Sequence, residues 1–333
     1  MRYINIRRLE PGMVLVSPIR DKNGSTLVQA NSPLSKFVVE RLQMLPETGV
    51  YIYDELSSDI LMEGNISMKV RQQLERKIGT MSIDDSIMAA HLIVSDLQNT
   101  SMIRTDMSAL NDYDNNTFNH SLNVAVYAST LAIRLGWNTK EVELVALSGL
   151  LHDIGKSKIP LELLNKEEQL SPSEIEMMHQ HATFGYEMLK DSTIIPAVVK
   201  MGVYGHHENF DGTGYPRQLK GETIYKYARI LRICDVWDAL LSKRSYKARL
   251  SPTKALDIMK NEMTGCFDPV FLNAFQSSIL PFPKGVPVIL TTDQQAIVAE
   301  DNEKDPLNPI IRFFNGDELN LAYSDINIVD FDW

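Results

Sequence analysis

Through most of the middle of the chain, apolar residues recur at three- and four-residue spacing, the mark of helices with one buried face. The pattern predicts helices over Met68–Ile78, Ile83–Leu97, Thr117–Leu135, Thr139–Leu151, Ser171–Leu189, Pro196–Gly205, Tyr225–Leu241 and Pro252–Asn261. The two ends follow a different rhythm. Near the start, Met13-Val14-Leu15-Val16 and Leu27-Val28 flank Asp21-Lys22-Asn23-Gly24, whose Asn-Gly is a strong hairpin turn. A helix over Pro33–Met44 capped by Ser32 and a strand at Val50–Tyr53 complete that module. After Pro281 the pattern turns to strands, over Val286–Thr291, Ala296–Glu300, Ile310–Phe314 and Leu319–Tyr323. The expected class is therefore mainly α. Residues 1–60 form a small α/β regulatory or interaction module, 61–110 a helical linker, 111–280 a helical bundle core and 281–333 a short β-rich extension.

Composition narrows this little: 333 residues, 44% hydrophobic and 23% charged, are ordinary for a globular protein of two or three domains. The longest apolar stretch, Leu122–Leu135, is broken by Asn123, Ser129 and Arg134, so it falls short of the run of about 20 residues that spans a bilayer. No apolar targeting segment opens the chain, and cytoplasmic residence is the expectation. Cys234 and Cys266 lack CxxC spacing and fit free thiols. A net charge of -10 argues against binding DNA or other nucleic acid broadly, yet residues 217–249 carry nine basic side chains against three acidic ones. That stretch suits a small anionic ligand, although most of the nine read as solvated helix faces. From Glu300 onward nine acids against two bases read as a solubilising tail surface.

The histidines carry the chemistry. Six of the seven (His120, His152, His179, His181, His206, His207) fall in one stretch, and only His91 lies outside it. His206 and His207 are adjacent, and successive residues on a helix diverge by about 100°, so the pair implies a helix end where both rings converge. Five imidazoles (His120, His152, His181, His206, His207) with the carboxylates of Asp153 and Asp235 offer nitrogen and oxygen donors without thiolate. Such a set suits manganese, iron, nickel or zinc better than calcium or magnesium. Burying so many polar groups without a metal or hydrogen bonds would cost several kcal/mol, roughly, which disfavours a purely structural role. His179 diverges from His181 by about 200° on a helix and is left out of the site.

In order along the chain, His120, His152-Asp153-Ile154-Gly155-Lys156, His181, His206-His207-Glu208, Gly214-Tyr215-Pro216 and Asp235 resemble the HD-GYP domain, a branch of the HD metal-dependent phosphohydrolases. The resemblance spans roughly residues 111–280 and implies an HD-type helical bundle. It further implies a phosphodiesterase that hydrolyses cyclic di-GMP to linear pGpG, and in many members to GMP, in bacterial signalling. Carried over position by position, it puts His120, His152, Asp153 and Asp235 on one metal and His181, His206, His207 and Asp153 on a second, with Asp153 bridging. Three-metal members have a glutamate four residues before the first histidine; here that position is Asn116, so the resemblance implies two divalent ions, iron or manganese. Two cations about 3.5 to 4 Å apart can activate a shared water and neutralise charge growing on phosphoryl oxygens.

Phosphate-binding positions of the family match Lys156, Arg244 and Lys247, so Asp153 and Lys156 are the catalytic candidates and Lys156, Tyr215, Arg244 and Lys247 the substrate-binding ones. Asp114 is a candidate proton donor to the leaving oxygen. Gly212 and Gly214 permit positive φ in the loop, letting Tyr215 face the pocket to stack on guanine or bond a phosphate. Three alternatives stand beside hydrolysis of cyclic di-GMP: a non-hydrolytic cyclic di-GMP sensor, an interaction module, and a phosphohydrolase for another nucleotide. The expected partners are cyclic di-GMP and, through the amino-terminal module, a second copy of the chain or a signalling protein.

Overall fold

The computed structural model describes residues 1–20, 26–45, 49–60, 64–75, 82–97, 102–105, 116–166, 168–242 and 250–332. The amino-terminal part comprises β1 (Arg2–Asn5), β2 (Val14–Leu15), β3 (Ile19–Arg20), β4 (Thr26–Val28), α1 (Lys36–Leu42) and β5 (Gly49–Tyr53). β5 lies between β1 and β2 in an antiparallel sheet, while β3 pairs with β4. The hairpin arm is therefore Ile19–Arg20, not the Met13–Val16 run. Pro18, which has no N–H to donate to a ladder, separates the two. Its turn, 21–25, lies outside the described residues. Ser35, not Ser32, caps α1 by accepting from the Val38 N–H, because Pro33 is held in a bridge to Val14. Ile4, Ile6, Leu15, Val39 and Ile52 form a separate small apolar core here.

Next come α2 (Met68–Glu75), α3 (Ile83–Asp96) and β6 (Ile103–Arg104), then α4 (Asn116–Arg134), α5 (Thr139–Leu151), α6 (Leu161–Leu164), α7 (Pro172–Leu189), α8 (Ala197–Gly205), α9 (Lys226–Leu241), α10 (Pro252–Asp257) and α11 (Pro269–Gln276). These follow the apolar periodicity to within a few residues. The last part of the Pro252–Asn261 stretch is a wider-turned segment, Ile258–Glu262. α4 packs on α5 and α9, and α8 packs on α5, α7 and α9. A Cβ on Gly149 would sit 2.7 Å from the Ala125 Cα, so α4 and α5 meet almost backbone to backbone. Leu122, Val126 and Leu131 of α4 and Leu231 and Trp237 of α9 are buried in the resulting core. Burial of each such aliphatic side chain contributes about 1.5–3 kcal/mol.

β7 (Ile279–Leu280) pairs in parallel with β6, bracketing the helices. Beyond it, β8 (Pro287–Leu290), β9 (Gln295–Glu300), β10 (Ile310–Phe313), β11 (Glu318–Asn320) and β12 (Ile328–Phe331) make a sheet ordered β11-β10-β9-β8-β12. The acid-rich end is thus folded into a sheet, and five of its nine acids (Glu300, Glu303, Asp317, Glu318 and Asp325) are exposed, in keeping with a solubilising surface. Asp332 is buried and accepts from the Arg8 guanidinium at 2.6 and 2.9 Å, and Arg312 pairs with both Asp59 and Glu318. Among the described residues no helix is long and apolar enough to cross a membrane.

Candidate metal centre

Five helices and one turn deliver the polar cluster. His120 comes from the first turns of α4, His152 caps the end of α5, and Asp153 follows at the entry to a tight turn, Ile154–Lys158. His181 lies on α7 and Asp235 on α9. His206 caps the end of α8 with His207 just beyond it, the helix-end geometry that their adjacency requires. A Cβ on Gly155 would lie 1.9 Å from the His181 carbonyl oxygen and 2.4 Å from the Gly185 nitrogen. Only glycine lets the turn after Asp153 press against α7, which is how the two motifs are brought together.

The donors sort into two sets. His120, His152 and Asp153 converge on one point, and His181, His206 and His207 on another. Asp153 faces both. Its Oδ2 lies 3.3 Å from His152 Nε2 and 3.7 Å from His120 Nε2, and its Oδ1 lies 3.4 Å from His181 Nε2 and 3.9 Å from His206 Nε2. Asp235 Oδ1 is 3.1 Å from His120 Nε2, and its Oδ2 is 3.8 Å from His207 Nδ1. All seven residues singled out as metal ligands are therefore gathered in one place.

Tautomers show what the cluster is for. His152, His181 and His206 each place Nδ1 at 2.6–2.7 Å from a backbone carbonyl three residues earlier, of Gly149, Met178 and Val203. A carbonyl can only accept, so Nδ1 carries the proton and Nε2 is left with a bare lone pair. Those lone pairs face other imidazoles: His152 Nε2 is 3.2 Å from His120 Nε2, and His181 Nε2 is 3.2 Å from His206 Nε2 and 3.1 Å from His207 Nε2. Burial, reinforced by neighbouring imidazoles, holds His206 and His207 well below the usual histidine range, and burial also lowers His181. Protons are thus disfavoured where His181, His206 and His207 converge, and a divalent cation fits there. Burial opposes the charge on Asp153 and Asp235, but Lys156 and His152 around the first and His120 around the second keep both ionised, with pKa values well below normal.

Asp238, which the sequence reading missed, also reaches the cluster. Its Oδ2 lies 2.8 Å from His120 Nδ1, and its Oδ1 accepts from Asn123 at 2.9 Å. The signal was present, since Asp238 is one helical turn beyond Asp235 and shares its face. Burial works against a protonated His120, but Asp235 and Asp238 overcome it and push its pKa up to about 10.

The loop after His207 is held by Glu208, which is buried and accepts from the Arg217 and Leu219 N–H groups at 2.7 and 3.0 Å. Gly212 has φ +90, as expected; Gly214 does not need positive φ but close approach, since a Cβ there would lie 2.2 Å from the Asn209 nitrogen. Tyr215 is brought beside the cluster, where its ring stacks on His207 with centroids 4.7 Å apart and on His179 at 3.8 Å. His179 is thus outside both ligand sets, as its helical angle demands, yet joined to the site through a loop that helical geometry alone does not reveal. Lys156 reaches the cluster and pairs with Asp153. Of the basic stretch, Lys226 pairs with Glu141, Arg229 with Asp268, and Arg232 donates to Asn209, so these three serve internal contacts. Arg244, Lys247 and Asp114 lie outside the described residues, as does the side chain of Asn116.

Residues 104–270 match the HD domain family, half of the chain. The chain belongs to the HD domain family. Its His152-Asp153 pair and Gly214-Tyr215-Pro216 motif place it in the HD-GYP branch, and the HD core with this His/Asp cluster suits divalent-metal binding. It is similar to a cyclic di-GMP phosphodiesterase of Pseudomonas aeruginosa, 36% identical over 201 residues that make up 60% of this chain and 48% of the relative. A cyclic di-GMP phosphodiesterase response regulator of Xanthomonas campestris pv. campestris is 32% identical over 211 residues, 62% of this chain and 55% of the relative. A 3'3'-cGAMP-specific phosphodiesterase of Vibrio cholerae is 38% identical over 148 residues, 44% of this chain and 34% of the relative. The chain spans about half the length of the first two relatives.

Proposed function

We propose that this HD-GYP protein is a metal-dependent phosphodiesterase that opens cyclic di-GMP to linear pGpG and carries some of it on to GMP. One observation carries the reading: the two oxygens of Asp153 face two separate imidazole sets, the arrangement that a binuclear hydrolytic site requires. Related phosphodiesterases named for this substrate support the choice of a cyclic dinucleotide. His120, His152, Asp153 and Asp235 would hold one divalent ion, and His181, His206, His207 and Asp153 the other. When bound, such ions supply a water of lowered pKa and neutralise charge on the phosphoryl oxygens. The nitrogen-rich, thiolate-free donors are compatible with iron or manganese.

The chain's own residues would do the rest. Asp153 would tie the two sets together, and Asp238 would hold the Nδ1 proton of His120, so that Nε2 is the nitrogen left to give up its proton and take a metal. Lys156, partly exposed beside Asp153, is placed to meet a phosphate oxygen, and Arg244 and Lys247, matched to phosphate-binding positions of the family, would contact phosphate as well. Tyr215 would meet guanine or phosphate while its ring braces His207. The substrate is an intracellular messenger, so cytoplasmic residence goes with this reading, as does a regulatory or partner-binding role for residues 1–60. Similarity to the 3'3'-cGAMP-specific enzyme favours a second reading, in which the mixed dinucleotide is the better substrate.

The test is chromatography of products after incubating manganese- or iron-loaded protein with cyclic di-GMP and with 3'3'-cGAMP. Linear pGpG from the first is the expected result. Faster turnover of the second substrate would select the second reading. Binding of cyclic di-GMP with no linear product, at full metal occupancy, would make the protein a sensor and overturn the proposal.

A further inference from the structure

Four of the five imidazoles in the cluster are fixed at their outer nitrogen: His152, His181 and His206 by backbone carbonyls and His120 by Asp238. His207 is different. Among the described residues no hydrogen bond reaches its Nδ1, and Asp235 Oδ2, at 3.8 Å, is too far to make one. Its ring is fixed by stacking instead. Tyr215 lies nearly parallel to it, 4.7 Å away with planes 24° apart, and His179 lies nearly parallel to Tyr215, 3.8 Å away with planes 13° apart. His179 belongs to the same helix as His181, whose Nε2 meets His207 Nε2 at 3.1 Å.

We infer that His179 is a positioning residue of the second metal centre, acting through Tyr215 to aim the ring of His207. The reasoning is mechanical. A ligating imidazole needs its outer edge held, because a ring free to rotate loses the orientation that makes it a good donor. Offset parallel ring pairs attract beyond their buried area, enough to replace a neutral hydrogen bond. Helix α7 then fixes both ends of the arrangement: it supplies His181 directly and, two residues earlier, the ring that backs Tyr215. The rest of the loop is strapped separately, by Glu208 to residues 217 and 219 and by Asn209 to Arg232 and Thr213, so loss of His179 releases the ring stack without releasing the loop.

This inference rests on the assignment of His181, His206 and His207 to one metal, and its test needs no nucleotide. Metal-stripped protein is titrated with Mn2+, and free Mn2+ is followed by electron paramagnetic resonance. The parent should take up two equivalents. His179→Ala should keep the first and weaken the second by about tenfold or more, in the range found when an outer partner of a ligating histidine is removed. His179→Phe, which can stack but cannot hydrogen-bond, should bind both equivalents to within about threefold of the parent. Both variants should stay folded and melt within about 8 °C of the parent. Activity of His179→Ala toward cyclic di-GMP should return at saturating Mn2+. The inference is overturned if the parent binds fewer than two equivalents, if His179→Ala binds the second as the parent does or loses both alike, or if His179→Phe is as impaired as alanine. If the parent binds two ions and hydrolyses no cyclic dinucleotide, the proposed function fails, while the titration still decides the role of His179.

Discussion

Asp238 Oδ2 sits 2.8 Å from Nδ1 of His120, and this contact leaves His120 Nε2 facing His152 and Asp235. Carboxylates that hold a ligating histidine raise its basicity and fix its tautomer, and losing one costs about 10- to 100-fold in metal affinity. Asp238→Asn should therefore weaken the first metal by a factor in that range while leaving the His181, His206 and His207 set intact. Zn2+ competition titration checks this. Equal weakening of both centres would show that Asp238 acts on the fold rather than on His120.

Asp153→Ala should remove both metals and all hydrolysis, because one oxygen faces each set and the residue is buried at their junction. Its loss also strands Lys156 without its partner. Elemental analysis of the purified variant is the measurement. Retention of two ions per chain would show that the carboxylate does not bridge.

The helical core and most of the candidate site were legible in the sequence, for a physical reason: helix periodicity and the types of side chain able to ligate a metal are local properties. Ser171 capping α7 and the adjacent His206 and His207 at the end of α8 are written within a few residues. What was not legible depends on distant partners. β6 and β7 are two residues each and exist only because they pair across the chain, and β12 was hidden by acidic neighbours such as Asp332, whose charge is answered by Arg8. His179 looked irrelevant because its angle on α7 points away from His181; the Tyr215 ring that meets it arrives on a separate loop.

Arg244→Ala separates phosphate binding from metal chemistry. A guanidinium that grips a substrate phosphate lies outside the metal sets, so metal content should be unchanged while kcat/KM for cyclic di-GMP falls by about thirtyfold, on the order of 2 kcal/mol. Arg244→Lys should recover only part of this, since a point charge cannot reproduce the fork. Steady-state kinetics at fixed ionic strength decide, and parental kcat/KM in the alanine variant would remove Arg244 from the site.

Acid should destabilise the metal-free protein in a window set by the histidines. His181, His206 and His207 have folded-state pKa values below their unfolded value of 6.5. The unfolded chain therefore binds protons first, so the stability these groups contribute is full above about pH 6.5 and is lost progressively as pH falls below it. His120 works in the opposite sense: raised to about 10, its contribution is present below 6.5 and is lost only as pH rises through 10. Three groups against one give a net loss between about pH 6.5 and 5, before ordinary carboxylates titrate. Melting of metal-stripped protein should show this fall, and metal retention should decline over the same range because ligands must be deprotonated to bind. A melting temperature flat from pH 7 to about 5 would contradict the assignment of these rings as buried and neutral.

Gly155 is where the fold and the site meet. A methyl group there would lie 1.9 Å from the His181 carbonyl oxygen and 2.4 Å from the Gly185 nitrogen, both backbone atoms that no side-chain rotation can move. Gly155→Ala must therefore push the turn carrying Asp153 and Lys156 away from α7, opening the gap between Asp153 Oδ1 and His181 Nε2 that is now 3.4 Å. Overpacking against fixed backbone costs about 1–3 kcal/mol and occasionally more. The bridge should suffer beyond that cost, so the second metal should be lost even in the fraction that folds. Urea denaturation gives the first quantity and elemental analysis of the folded fraction the second. A folded Gly155→Ala protein with two tightly held ions would mean that Asp153 and α7 need not be pressed together for the centre to form.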